Sequence, residues 1–168
     1  MNNPIPLNEI KITNEFGPGD LGYIIHMHGR LYKEECDYGL PFEAYVISSL
    51  LEFYEKYDPK TNRIWICKHN NKMIGCLMLM NRGASAQLRY FIIEPAYRSI
   101  GLGRKLMNLY MEAVKEIGYK SVYLLTTDGL PASAHLYKAY GFILTSETKS
   151  DAFGKMVVEQ RYELKVAY

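Results

Sequence analysis

Apolar positions recur at helical spacing in four stretches of the chain. The first follows the Gly17-Pro18-Gly19 turn, with Asp20 as the expected N-cap and one face formed by positions 21, 24, 25, 28, 31 and 32. A second begins at Pro41, a residue suited to the first turn of a helix, and continues to position 54. The strongest amphipathic pattern covers 101–117 and ends at Gly118, and a short helix is expected at 131–140.

Strand patterns alternate with these helices. Residues 63–68 and 73–80 flank Asn70-Asn71, a pair typical of a tight hairpin turn. Residues 121–126 are apolar with little alternation, so this strand is expected to be covered on both faces. Further strands are expected at 10–16, 87–93, 142–146 and 156–166. Helices interleaved with a largely antiparallel sheet predict an α/β (α+β) class.

Composition narrows the function classes. A chain of 168 residues with 48% apolar content predicts one ordered domain over residues 1–168. Lys and Arg number 20 and Asp and Glu 18, so the net charge is only +2. Nucleic-acid binders usually carry a basic excess, so no nucleic-acid partner is expected.

Cysteine usage and hydropathy bear on the compartment. Cys36, Cys67 and Cys76 form no C-x-x-C pair and have no histidine at ligand spacing, so buried thiols are expected and no metal. The longest purely apolar stretch, residues 76–80, is far below the ~20 residues of a membrane span. The first residues of the sequence show no signal-peptide pattern. A cytoplasmic protein without a membrane partner is expected.

The segment 88–103 carries the chemistry. A strand leads through a short loop to Gly101 and Gly103 at a helix start, where unpaired N–H groups and the helix dipole favour a phosphate. A dinucleotide-binding motif would need glycine where Leu106 stands, and the Gly-Lys-Ser/Thr of a P-loop is missing. For the glycines alone, a phosphate site and a helix start without ligand remain equally open.

Two motifs extend this pattern. Arg98-x-x-Gly101-x-Gly103, preceded by Ile93-Glu94-Pro95, resembles the acetyl-coenzyme A signature of the GNAT N-acetyltransferase superfamily. Residues 136–142, Leu-Tyr-Lys-Ala-Tyr-Gly-Phe, resemble the downstream motif of that family. The likeness looks closest to the acetyltransferase half of MarR–GNAT fusion proteins, on features such as the run 132–137 and Phe153-Gly154.

The resemblance implies the GNAT fold: a mixed, mostly antiparallel sheet of about six to seven strands with about four helices. The fourth and fifth strands, here 87–93 and 121–126, splay apart and admit acetyl-coenzyme A between them. Backbone groups near the end of the fourth strand and in the following loop would hold this cosubstrate. These residues are Phe91, Ile92, Ile93, Arg98, Ser99, Ile100, Gly101, Leu102, Gly103 and Arg104.

Catalytic roles follow from the same resemblance. Tyr137 matches the general-acid position of the family, where a phenol protonates the departing thiolate. The alternative is a rim tyrosine, the default for most of the 15 tyrosines. Some family members place a carboxylate base where this chain has Gln87, which cannot serve. His28, Glu43, Glu94 or a water chain remain as candidate bases.

The acceptor site of the family lies between the first two helices and the sheet. Candidate acceptor-binding residues are His28, Tyr32, Tyr38, Phe42 and Gln87. Acids and phenols in this region suit a small cationic amine or amino acid, and an ordinary solvated helix end is an equally open interpretation.

The resemblance therefore implies an N-acetyltransferase that transfers acetyl from acetyl-coenzyme A to a primary amine of a small molecule or peptide by direct attack. Because Gln87 occupies the base position, an inactive acyl-coenzyme A sensor is the alternative. Family members are often dimers, so a homodimer is also expected.

Overall fold

The computed structural model describes residues 5–168, which form one seven-stranded sheet and four α-helices. The strands are β1 (Lys11–Thr13), β2 (Arg63–His69), β3 (Lys72–Arg82), β4 (Ser85–Ile93), β5 (Ser121–Thr127), β6 (Ile143–Ser150) and β7 (Val157–Lys165). The helices are α1 (Asp20–Cys36), α2 (Leu40–Glu55), α3 (Leu102–Ile117) and α4 (Pro131–Ala139).

The sheet has the order β1-β2-β3-β4-β5-β7-β6, and every pair is antiparallel except β4 with β5. That parallel pair is joined only over its first residues, where Ser85 faces Ser121 and Gln87 faces Tyr123. Beyond Gln87 the two strands separate. The structure therefore contains the predicted splay, and a gap opens in the middle of the sheet.

Helices cover both faces of the sheet, and the side chains of β3 alternate between them. Leu77 and Leu79 belong to the apolar cluster that includes α3. Cys76, Met78 and Met80 belong to a second cluster with α1 and α2. Because both faces of β3 are buried, its sequence is apolar without a polar alternation.

Short sequence patterns correctly predicted where several helices and turns begin or end. Pro41 lies in the first turn of α2, and Gly118 ends α3 with φ 92°. Asn70 and Asn71 both have positive φ, 49° and 62°, as a two-residue turn between β2 and β3 requires.

Two local predictions near the N-terminus are wrong. The strand expected over 10–16 is only Lys11–Thr13. Gly19, with φ 89°, precedes the first residue of α1, so Asp20 is inside the helix. Its carboxylate accepts the Gly17 N–H at 2.8 Å and pairs with Lys68 at 3.2 Å. Asp20 thus folds the turn back onto the helix instead of capping it.

The prediction that residues 121–126 are covered on both faces is also wrong. Val122 and Leu124 are buried, whereas 54% of Leu125 is exposed. The reason is the splay, because β4 no longer lies beside this part of β5. Leu125 borders the gap instead of a core.

Across residues 5–168, none of the helices is long and apolar enough to cross a membrane. Cys67 and Cys76 are buried and Cys36 is partly exposed, and all three are free thiols. Burial raises the pKa of Cys67 to about 12, so it packs as an apolar side chain.

Candidate active site

A β-bulge in β4 sets the geometry of the site. Cys76 faces Ile92 and Met78 faces Arg89, so the residue between them on β3 opposes two residues of β4. One of these, Tyr90, has φ 53°, an unusual value for a tyrosine in a strand. Its hydroxyl donates to Ser49 Oγ of α2 at 2.9 Å. The bulge therefore sends Arg89 and its neighbour Tyr90 to the same side of the sheet.

The loop before α3 presents free backbone donors. Ser99 and Gly101 have φ 63° and 91°, which turns the chain sharply into the helix. Lys105 N–H bonds the Gly101 carbonyl at 3.0 Å, but within residues 5–168 the N–H groups of 99–104 have no backbone acceptor. Free donors at a helix start attract anions such as phosphate. The predicted loop residues Ser99, Ile100, Gly101, Leu102, Gly103 and Arg104 thus lie together at a helix start with free backbone donors.

Arg98 has a structural role in this loop. Its Nε donates to the Ile93 carbonyl at 2.9 Å, and its guanidinium pairs with Glu35 of α1 at 2.8 Å. These contacts tie the end of β4 to α1. The positive charge of Arg98 is consequently shared with a carboxylate, and the backbone N–H groups supply most of the attraction for an anion.

Two adjoining cavities lie along the splay. The loop cavity, about 480 Å³, is lined by Ile92, Ile93, Arg98, Ser99, Gly103 and Leu136, among others. The central cavity, about 310 Å³, lies on the side of α1 and α2. Tyr32, Phe91, Leu130 and Ser133 line both cavities, so the two meet at the gap between β4 and β5.

Tyr137 reaches the central cavity from α4. Its side chain is buried, and its ring centroid lies 6.5 Å from that of Phe91. No group within residues 5–168 hydrogen-bonds its hydroxyl. Burial raises the pKa of Tyr137 above its usual value of 10, so the phenol stays protonated and able to donate at neutral pH.

The five predicted acceptor residues also meet there. His28, Tyr32, Tyr38, Phe42 and Gln87 all line the central cavity. The rings of Tyr32 and Phe42 lie 4.5 Å apart, and Tyr38 hydrogen-bonds Thr127 of β5 through its hydroxyl. The cavity is therefore mainly aromatic on its helical side.

His28 is neutral in this environment. Nδ1 lies 2.8 Å from the Ile24 carbonyl, which can only accept, so the proton is on Nδ1 and Nε2 carries the lone pair. Burial, together with a smaller effect of the charge of Arg89, lowers the pKa of His28 to about 4. His28 thus offers an acceptor atom without charge.

This burial predicts a pH-dependent stability. Because the folded pKa of His28, about 4, lies below its ordinary 6.5, the unfolded chain binds the extra proton between these values. Acidification through this window therefore destabilises the fold. We expect the wild type to lose ~2 kcal/mol more than His28→Gln between about pH 7 and pH 5, measured by urea unfolding. Equal losses in both proteins would contradict the burial of a neutral imidazole.

The other candidate bases lie outside the central cavity. Glu43 faces α1, with Oε2 only 2.8 Å from where a Cβ on Gly29 would stand. Glu94 pairs with Arg30, and only 13% of its side chain is exposed. Gln87 is buried and accepts a hydrogen bond from Arg82 Nε at 2.8 Å. Of the three side chains predicted as candidate bases, only His28 lines the central cavity.

Sequence reasoning missed several cavity residues, among them Arg89, Phe153 and Glu159. Arg89 lies in the middle of an apolar strand, and such an isolated charge was the available signal. Phe153 comes from the β6–β7 connection, where its carbonyl accepts the Gly39 N–H at 2.9 Å. Nothing local in the sequence indicates that this connection folds over α2.

The model of the Acetyltransferase (GNAT) family matches residues 30–142. The chain belongs to the GNAT acetyltransferase family. It is 28% identical over 114 residues to an uncharacterized N-acetyltransferase of Escherichia coli K12, YjgM, and the match covers 64% of this chain and 68% of YjgM. Acyltransferase chemistry is the activity that this membership supports.

Solved structures agree on the fold. An acetyltransferase from Streptococcus agalactiae has a TM-score of 0.76 at 19% identity, over 95% of this chain and 100% of the other. A spermidine N-acetyltransferase from Vibrio cholerae, in complex with CoA and spermine, has a TM-score of 0.68 at 19% identity, over 94% and 96%. The predicted GNAT fold, with its mostly antiparallel sheet, is confirmed.

Within residues 5–168, no group of three or more His, Cys, Asp or Glu side chains is arranged to hold a metal ion.

Proposed function

We propose that this protein transfers an acetyl group from acetyl-coenzyme A to the primary amine of a small molecule or peptide. The observation that supports it is the continuous space between β4 and β5. It joins the backbone donors of 99–104 to Tyr137 and to the central cavity. A phosphate-bearing cosubstrate and an amine could thus meet at one point of the gap.

Acetyl-coenzyme A fits the loop cavity. The N–H groups from Ser99 to Arg104 bind its pyrophosphate, and the helix dipole of α3 adds to the attraction. Beyond Gln87 the edge of β4 has no strand beside it. Backbone groups of Phe91, Ile92 and Ile93 can pair there with the pantetheine amides, as an added strand would.

The transfer proceeds by direct attack. The deprotonated amine adds its lone pair to the thioester carbonyl carbon, which forms the C–N bond and an oxyanion. A backbone N–H near Phe91 or Ile92 stabilises this oxyanion. The oxyanion then re-forms the carbonyl as the C–S bond breaks, and the sulfur takes a proton from Tyr137. The nitrogen gives its one extra proton, through water, back to the Tyr137 phenolate.

Deprotonation of the amine does not need a strong base here. The aromatic lining of the central cavity disfavours a charged ammonium and lowers the pKa of a bound amine. His28 Nε2 can accept a hydrogen bond from the neutral amine. Positioning next to the thioester supplies a large part of the rate.

The alternative function is an acyl-coenzyme A sensor without turnover. The observation that favours it is the buried amide of Gln87, because an amide cannot remove a proton. Both functions require the cosubstrate to bind, and only the transferase releases free coenzyme A when an amine is present.

Calorimetry with acetyl-coenzyme A and a thiol-release assay test the proposal together. The expected results are micromolar binding and thiol release with at least one member of a panel of amino acids, polyamines, aminoglycosides and peptides. Binding without release across the panel would support the sensor. No binding would exclude both functions.

Three finer expectations stay predictions. These are the closer likeness to MarR–GNAT fusion proteins, the homodimer, and the cytoplasmic location without nucleic-acid or membrane partners. The amine acceptor as a class is supported by the Vibrio cholerae relative, which was solved with spermine.

A further inference from the structure

Arg89 is an unpaired cation at the central cavity. It is half-buried and lines the cavity between Gln87 and Phe91. One N–H donates to the Tyr45 hydroxyl at 2.9 Å, and the guanidinium lies 4.9 Å from the ring centroid of Tyr90. Within residues 5–168 no carboxylate pairs with it, in contrast to Arg30, Arg63 and Arg98.

The two tyrosines hold this guanidinium in place but leave most of its donors unused. A guanidinium has five N–H groups, and a carboxylate is the partner whose geometry it matches best. Removing a charged group partly from water without an ionic partner costs folding free energy. An anionic group bound in the cavity would offset this cost.

The other charges of the cavity have a complementary arrangement. His28 is neutral and Gln87 is an amide, so Arg89 is the one positive group among the described lining residues. Glu159 of β7 lines the cavity from the other side of the gap and has no ion pair within residues 5–168. A ligand that carries a carboxylate beside its amine matches this arrangement, because Glu159 attracts its ammonium form to the cavity before the proton is lost and Arg89 pairs with its carboxylate.

We infer that Arg89 binds the carboxylate of the acceptor, so the acceptor is an amino acid with an apolar or aromatic side chain. This inference rests on the proposed function, since it names the substrate class of the same site. The rings of Tyr32, Phe42 and Phe153 surround the apolar side chain. A polyamine is disfavoured because a second ammonium would meet the charge of Arg89.

The deciding experiment compares ligands that differ only in the carboxylate. Each of L-phenylalanine, L-leucine and L-methionine is paired with its amide, and phenylalanine also with 2-phenylethylamine. Affinities are measured by calorimetry without acetyl-coenzyme A, and kcat/KM by thiol release with it. At least one acid should bind ~10- to 100-fold more tightly than its amide.

Variants of Arg89 test whether the guanidinium causes the preference for the acid over the amide. Arg89→Gln should remove the difference between acid and amide, and Arg89→Lys should restore part of it, because a lysine keeps the charge but not the fork. Arg161→Gln is the matched control. The guanidinium carbon of Arg161 also lies over a tyrosine ring, 3.9 Å from the centroid of Tyr123, but Arg161 lines neither cavity. Its replacement should therefore change neither the affinity for the acid nor that for the amide.

The outcomes separate the two proposals. Equal binding of acids and amides, no binding of any acid, or a preference that survives in Arg89→Gln would overturn the carboxylate site, even if other amines are acetylated. Acids that bind through Arg89 without any thiol release would support the carboxylate site and contradict the transferase. Both proposals stand if the acids bind and are acetylated with the same dependence on Arg89.

Discussion

Tyr137→Phe is expected to lower kcat by ~100-fold or more and to leave the dissociation constant of acetyl-coenzyme A nearly unchanged. The phenol is protonated at neutral pH, lines the central cavity and has no protein partner within residues 5–168. Its hydroxyl is therefore available to the departing sulfur. The phenylalanine ring retains the packing against Phe91 and Phe142, so the fold should be preserved.

Tyr110→Phe is the matched control for this variant. Tyr110 is also a fully buried tyrosine, but it belongs to α3, packs against Trp65 and lines neither cavity. Its hydroxyl is buried without a hydrogen-bond partner, so its removal should stabilise the protein by ~1 kcal/mol and leave kcat unchanged. Wild-type kcat in Tyr137→Phe would remove Tyr137 from the mechanism. A similar decrease of kcat in Tyr110→Phe would show that kcat responds to altered packing and not to the loss of a catalytic hydroxyl.

Gly103→Ala is expected to weaken acetyl-coenzyme A binding ~10- to 100-fold at nearly constant thermal stability. A Cβ on Gly103 would lie 3.7 Å from Phe91, Ile93 and Leu136, which is ordinary contact, so the free protein can accommodate it. The added methyl group would, however, occupy the loop cavity where the cosubstrate approaches the start of α3. Calorimetry and thermal unfolding measure the two effects separately.

Gly22→Ala is the control, because Gly22 is also a helix residue and a Cβ there would meet nothing within 4 Å. This variant should bind the cosubstrate normally and be slightly more stable, as alanine favours a helix. Gly101→Ala is unsuitable as a control, since φ is 91° there and alanine would strain the loop. Unchanged affinity in Gly103→Ala would place the cosubstrate elsewhere.

Most elements could be predicted because their signals are local. The face of α3, Pro41 in α2 and the Asn70-Asn71 turn depend on residues close in sequence. The candidate cosubstrate loop could be found for the same reason, since its residues follow one another along the chain. Asp20 was misplaced by one position because Gly19 supplied the turn conformation.

The cavity lining was harder to predict because it is assembled from distant segments. The candidates on α1 and α2 came from the family resemblance, whereas Phe153 and Glu159 reach the cavity only through the β6–β7 hairpin. Strand alternation places Arg89 on the same face of β4 as Gln87, but only tertiary contacts decide that this face borders a cavity. The bulge at Tyr90 breaks that alternation.

By itself the sequence determined the helices, the hairpin turn and the glycine-containing helix start, because backbone preferences and apolar periodicity act over a few residues. Only the tertiary structure decided where β4 leaves β5, which residues of β4 share a face and which cation lacks a partner. These features depend on strand register and on contacts between segments far apart in the chain, which no local pattern encodes. The resemblance led to the transferase, and the fold added the unpaired Arg89 from which we infer its acceptor.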